Sequence, residues 1–205
     1  MRIITISREF GSGGRELGKR LADQLNYRYY DREIITAIAR ESDLDSNYVE
    51  NALEKPAWQL PTLTFRQSFA TPVLFQDTQV DLLTTQRKVL QRIAAKREDC
   101  VIVGRNADVI LRAYHPLSIF VCADMEAKLI RCRERAPQDE NLTDKQMIKK
   151  IKEIDKNRAK VREMLTDEKW GDRRAYDLIV NTSGWKIKEL TPAIADFATR
   201  WFGRT

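Results

Sequence analysis

Apolar and polar positions follow two rhythms along this chain. Residues 2–6, 100–103, 117–122 and 176–180 are short runs rich in Ile, Val, Leu and Phe, the composition of strands covered on both faces. Between them the apolar residues return at helical spacing. Leu17, Leu21, Ala22 and Leu25 predict a helix that opens near Gly14 or Arg15. Ile34, Ile35 and Ile38 predict one over residues 33–40, and residues 43–53 suit another short helix. Val80, Leu83, Leu90, Ile93 and Ala94 mark a helix over residues 79–96, and residues 108–114 a short helical stretch. Asp124 suits a cap for a helix with Ala127, Leu129, Ile130 and Cys132 on its apolar side, while Arg131, Arg133 and Arg135 crowd its end. Thr143 and Gln146 have capping-box spacing and start a charged helix to about residue 165, with Ile148, Ile151, Ile154 and Val161 as its stripe. Thr191 and Pro192 suit the N-cap and first position of a last helix carrying Ile194, Phe197, Ala198 and Trp201.

Tyr27, Tyr29 and Tyr30 predict a short second strand that ends at Asp31 and Arg32. Strands then alternate with helices throughout, which predicts an α/β protein: a parallel sheet with helices on both faces. At 205 residues this is one domain or one domain with inserts. Residues 55–75 break the rhythm. Pro56, Pro61 and Pro72 alternate with Trp58, Phe65, Phe69 and Phe75, too apolar for a disordered linker. The stretch reads as an insert that packs on the core, closes over a ligand, or makes subunit contacts in a homo-oligomer.

The junction of the first strand and helix carries the chemistry. Gly11, Gly13 and Gly14 fall within four residues, and Gly18 follows. Glycines let a loop fold back with its N–H groups turned inward, and a helix N-terminus adds partial positive charge, so such junctions bind phosphate. The alternative is a strand–turn–helix crossover whose glycines permit tight packing alone. A P-loop reads G-x-x-x-x-G-K-[ST]. Here the lysine position holds Gly14, and Arg15 and Glu16 follow in place of the hydroxyl residue. In a parallel sheet, ligands gather at the carboxyl ends of strands. That edge would bring the loop together with Asp31 and Arg32 and with Gly104 and Arg105. Asp31 also suits an N-cap for the helix after it.

Composition narrows the field. Cys100, Cys122 and Cys132 are scattered, without metal-ligand spacing, which fits a reduced cytoplasm and argues against a disulfide scaffold or zinc site. His115 is the lone histidine and sits beside Pro116 in a turn, so a histidine triad is not expected. Apolar runs stay short of membrane-spanning length, and no signal-peptide pattern opens the chain, so a cytoplasmic protein without membrane contact is expected. The net charge of +6 suits an anionic ligand. Nucleic acid is a minor alternative, because zinc-finger spacing, a basic tail and an RNP-like aromatic pattern are all missing.

Five stretches resemble the cytidylate kinase-like proteins, a branch of the P-loop nucleoside monophosphate kinases. They are residues 7–16 (SREFGSGGRE), 29–32 (YYDR), 103–105 (VGR), 155–158 (DKNR) and 176–183 (YDLIVNTS). The resemblance covers nearly the whole chain in the family's order. It implies a three-layer P-loop kinase fold with a helical acceptor-nucleotide insert within about residues 31–80 and a lid from about residue 133 to 165. It implies ATP with Mg²⁺ as phosphate donor and CMP or dCMP as acceptor, small-molecule nucleotides being the partners. It assigns Gly11, Ser12, Gly13 and Gly14 to the donor phosphates, Asp31 to the acceptor cytidine with Arg32 beside it, and Arg105 to the acceptor phosphate. Arg133 and Arg135 reach from the lid, and Asp155 and Arg158 close over the acceptor. No residue is assigned to metal.

Gly14 departs from the working kinases, which carry a lysine there. Three readings follow. A neighbouring arginine, Arg15 or Arg8, supplies the missing charge. Alternatively the protein binds nucleotide without transferring phosphate, as a sensor or scaffold. In the third, the insert serves a different small acceptor. For Asp155 and Arg158 the plain alternative is an i,i+3 surface pair on a charged helix.

Overall fold

The computed structural model describes residues 1–54, 72–135 and 142–204. The insert aromatics Trp58, Phe65 and Phe69 and the polar loop at 136–141 lie outside them. Five strands, β1 (Ile3–Arg8), β2 (Arg28–Tyr30), β3 (Cys100–Val103), β4 (Leu117–Cys122) and β5 (Leu178–Asn181), form one sheet in the order β2-β3-β1-β4-β5. Every neighbouring pair is parallel. Parallel pairing requires crossover connections, and helices supply them: α1 (Gly14–Leu25), α2 (Arg32–Ser42), α3 (Ser46–Glu54), α4 (Pro72–Ala95), α5 (Ala107–Ile110), α6 (Met125–Arg135), α7 (Asp144–Glu163) and α8 (Ile187–Phe202).

The strands explain the two cores. Side chains alternate across a strand, so Ile3 faces one side of β1 and Ile4 and Ile6 the other. On the first face Ile3, Cys100 and Ile102 pack with Ile34, Ile38, Leu82, Leu90 and Leu111. On the second, Ile4, Ile6, Val101, Val103 and Ile119 pack with Leu17 and Leu21 of α1 and Ile194 and Ala198 of α8. The result is the three-layer arrangement expected from the alternation of strands and helices.

Several local expectations change. The last helix starts at Ile187, not at Thr191, so Pro192 lies inside it. Ile187 is buried against the glycine loop, and Thr191 turns its hydroxyl back to the Ile187 carbonyl (2.9 Å) rather than capping. Helix α4 begins at Pro72, and its buried face is Leu82, Gln86, Val89, Leu90 and Ile93, leaving Val80 exposed. Asp31 stands at the N-cap position of α2 but makes no side-chain cap hydrogen bond. The caps at Asp124 and Thr143 form as expected. Asp124 Oδ1 accepts from the Ala127 N–H (2.7 Å), and Thr143 and Gln146 make a capping box.

Helix α6 departs from its predicted pattern at two positions. Ile130 is 49% exposed while Lys128 is buried at 5%. The face that packs inward carries Lys128 together with Cys132, because the helix lies over the loop that follows β1.

Candidate active site

The loop between β1 and α1 is shaped by two glycines in the left-handed region, Gly11 at φ 75° and Gly13 at φ 82°. An L side chain rarely adopts that backbone. Gly13 is the N-cap of α1. Ser12 is fully buried and donates its hydroxyl to the Glu9 carbonyl (2.8 Å), and Thr182, just past β5, donates to the Ser12 carbonyl (2.7 Å). The loop is thus pinned at its tip and opens toward the carboxyl edge of the sheet.

A cavity of about 250 Å³ lies over this loop, bounded by Arg8, Gly11, Gly13, Gly14, Arg15, Arg131, Arg135, Lys150 and Arg158, with Phe10, Cys132 and Met147 as apolar walls. Six basic side chains around one glycine loop suit a polyphosphate. Among the described residues Glu9 is the one carboxylate on the wall, and it is engaged: its Oε2 accepts from the Ala123 N–H (3.1 Å) and pairs with Lys128 Nζ at 2.8 Å.

Lys128 holds the floor together. Its ammonium also reaches Asp155 Oδ2 (3.4 Å). Asp155 Oδ1 accepts from the Phe10 N–H at 2.7 Å, so one carboxylate of α7 and one lysine of α6 clamp the base of the loop. Burial pushes the Asp155 carboxyl above its ordinary pKa, against the Phe10 hydrogen bond, Arg158 and Lys128, which pull it down. Arg158 Nη1 donates to the Arg8 carbonyl at 3.1 Å and lies 3.6 Å from Asp155 Oδ1. These two residues are therefore not an exposed i,i+3 pair. They are largely buried, and they face the donor loop.

Other predicted residues sit around this centre. Arg15 binds Asp31 (Nε to Oδ2, 2.6 Å). Asp31 is 4% exposed, and its Oδ1 has no hydrogen-bond partner among the described residues. Arg15, Asp31, Arg32 and Arg135 line an open groove of about 710 Å³, which shares Arg15 and Arg135 with the loop cavity. Arg135 pairs with Glu16 of α1. Arg105 stands apart, buried at the end of β3, with Gln86 donating to its carbonyl (2.9 Å) and Glu50 4.0 Å from Nη2. Arg133 turns away to the surface and pairs with Asp144.

Arg131 takes the place expected of Arg133. It lies on the cavity wall and donates to Thr182 Oγ1 (3.1 Å), Thr182 O (2.6 Å) and Trp185 O (3.1 Å). Its signal was present: residues 128, 131 and 135 share a helix face at i, i+3 and i+7, whereas 133 falls on the opposite one. Lys150 and the buried Lys128 were also missed.

Among the described residues, no group of three or more His, Cys, Asp or Glu is placed to hold a metal, and no helix is long and apolar enough to cross a membrane.

Comparison with known proteins agrees with this geometry. The sequence model of the cytidylate kinase-like family matches residues 3–184. A cytidylate kinase of Haloarcula marismortui is 28% identical over 186 residues, covering 89% of this chain and 82% of that protein. The crystal structure of an uncharacterized protein from Eubacterium ventriosum superposes with a TM-score of 0.70 at 25% identity, covering 97% of this chain and 99% of the other. The shikimate kinase of Bacteroides thetaiotaomicron gives 0.57 at 15% identity, with 96% and 97% covered, a likeness of fold alone.

Proposed function

The chain belongs to the cytidylate kinase-like family, and from that premise we propose that it is a nucleoside monophosphate kinase, passing the γ-phosphate of ATP to CMP or dCMP. The observation that carries this reading is the convergence of a glycine loop and six basic side chains on one cavity, beside a groove that ends at Asp31.

Phosphoryl transfer asks a protein for position and charge neutralisation more than for covalent chemistry. The loop N–H groups and the start of α1 would hold the donor phosphates, with Arg131, Arg135 and Arg158 as charged partners. Arg131 is preset for this by three hydrogen bonds to the turn after β5. Asp31 Oδ1, buried and without a hydrogen-bond partner among the described residues, suits the exocyclic amino group of cytosine, a hydrogen-bond donor that uracil lacks. Arg15 holds the other carboxylate oxygen and so fixes the orientation of the carboxylate. Arg32 lines the same groove and would face the acceptor there.

Mg²⁺ fits as a ligand of the phosphates rather than of the protein. Ser12 spends its hydroxyl on Glu9, and Arg15 stands where P-loops place a second hydroxyl. Such an ion commonly keeps several waters and takes its other ligands from substrate oxygens.

The competing reading, a nucleotide-binding protein without transfer, rests on the missing side chain at Gly14. A coupled assay with Mg-ATP and a panel of monophosphates separates the two. Product with CMP or dCMP above UMP and AMP is expected, with the preference lost in Asp31→Asn. ATP binding without transfer to any acceptor would contradict the kinase reading. Transfer to a different acceptor would refute the cytosine assignment.

A further inference from the structure

We propose that Arg8, at the end of β1, carries the phosphate-contacting charge that P-loop kinases carry on the residue at position 14. This rests on the kinase reading and says how the altered loop performs it.

Two glycines are shaped to this one side chain. A Cβ at Gly14 would lie 2.5 Å from Arg8 Cβ and 3.1 Å from Arg8 Cγ, so the stem of Arg8 fills the volume that a side chain at position 14 would need. A Cβ at Gly104 would lie 1.7 Å from Arg8 Nη1 and 2.8 Å from Arg8 Cζ, so the guanidinium rests on bare backbone at the end of β3. Gly14 opens α1 and Gly104 follows β3. The left-handed backbone at Gly104 (φ 75°) favours glycine in any case, but at position 14 helix propensity disfavours it, and the room needed by Arg8 accounts for it.

The placement is fixed from below. Arg8 is the last paired residue of β1, in register with Val121, and its carbonyl accepts from Arg158 Nη1 (3.1 Å). The residue is 8% exposed and contributes to the wall of the loop cavity. Its guanidinium therefore lies between the donor loop and the Gly104–Arg105 corner, at the edge of the cavity proposed for the donor phosphates. An arginine suits such a buried position better than a lysine. Its charge survives desolvation, and its fork matches two phosphate oxygens. Arg15, the other candidate, is half exposed, whereas Arg8 is buried.

The test uses Arg8→Met, which keeps a stem above Gly14 and removes the charge, with Arg8→Lys as the conservative variant. Nucleotide affinity is read by calorimetry and transfer by the coupled assay. Arg8→Met should lower kcat by about a hundredfold or more, the scale for losing one preorganised transition-state donor. It should weaken ATP about tenfold more than ADP, as expected for a lost charge-assisted contact to the terminal phosphate. Arg8→Lys should recover part of both. The relocation Arg8→Gly with Gly14→Lys should transfer faster than Arg8→Gly alone. Equal losses for ATP and ADP, with transfer near the wild-type rate, would overturn the assignment. A wild-type protein that phosphorylates no monophosphate would sink the kinase reading instead, and the ATP-against-ADP comparison would still decide the place of Arg8.

Discussion

The most telling single residue is Asp155. Its carboxylate is shared by the Phe10 N–H, Lys128 and Arg158, yet burial still holds its pKa above the ordinary value. A carboxyl with a raised folded pKa binds its proton more tightly in the folded protein, so stability falls as pH rises through the range just above about 3.9. Asp155→Asn removes that component. Urea unfolding at a series of acid pH values should give the variant a more positive slope of stability against pH than the wild type, whatever its absolute stability. Superimposable slopes would show that Asp155 titrates as an ordinary exposed carboxyl. The family resemblance marked 155 and 158 as site residues, but their burial and contacts were not legible in the sequence, where without that resemblance they read as a surface pair. Their partners at Arg8 and Phe10 lie at the other end of the chain, and i,i+3 spacing carries no information about which face is covered.

At the scale of elements, α6 shows how a functional face defeats a hydrophobic pattern. Ile130 faces solvent and Lys128 is buried because the loop beneath and α7 offer carboxylates, Glu9 and Asp155, in place of apolar surface. A buried ammonium is tolerated when it is paired in this way. The same phase puts Arg131 on the cavity and Arg133 on the outside. Arg131→Ala should therefore weaken ATP binding by about tenfold or more, since hydrogen bonds from a charged group are worth roughly 1.5–3 kcal/mol. Arg133→Ala should leave binding unchanged and move stability by no more than about 1 kcal/mol, as for an exposed ion pair. The reverse ranking, by calorimetry and urea unfolding, would contradict the orientation of α6. Strands β1, β3 and β4 were read closely because each is a continuous apolar run bounded by charge or turn residues. The start of α8 was missed because Pro192 is a strong helix-start signal, and the burial of Ile187 against Gly13 outweighs it.

At the scale of the molecule, the sheet order β2-β3-β1-β4-β5 gathers the site. It sets β1 between β3 and β4, so the loop after β1 is flanked by Gly104 on one side and by Ala123 and α6 on the other. Helix α7 joins this edge to the body. Met147 and Lys150 face the cavity, while the fully buried Arg162 pairs with Asp108 (2.6 Å) and Glu168 (3.2 Å). The convergence of the loop, Asp31 and Gly104 at one edge was legible, because strand ends in a parallel sheet must lie together. Of the basic lining from α6 and α7, the family resemblance named Arg135 and Arg158; Arg131 and Lys150 were not legible, because their place depends on how two charged helices lie over the loop. The central claim is that this edge moves a phosphoryl group between nucleotides. Incubation of the protein with γ-labelled ATP and CMP tests it most directly. The account predicts that the label appears in CDP; label that stays in ATP, or leaves only as inorganic phosphate, would contradict it.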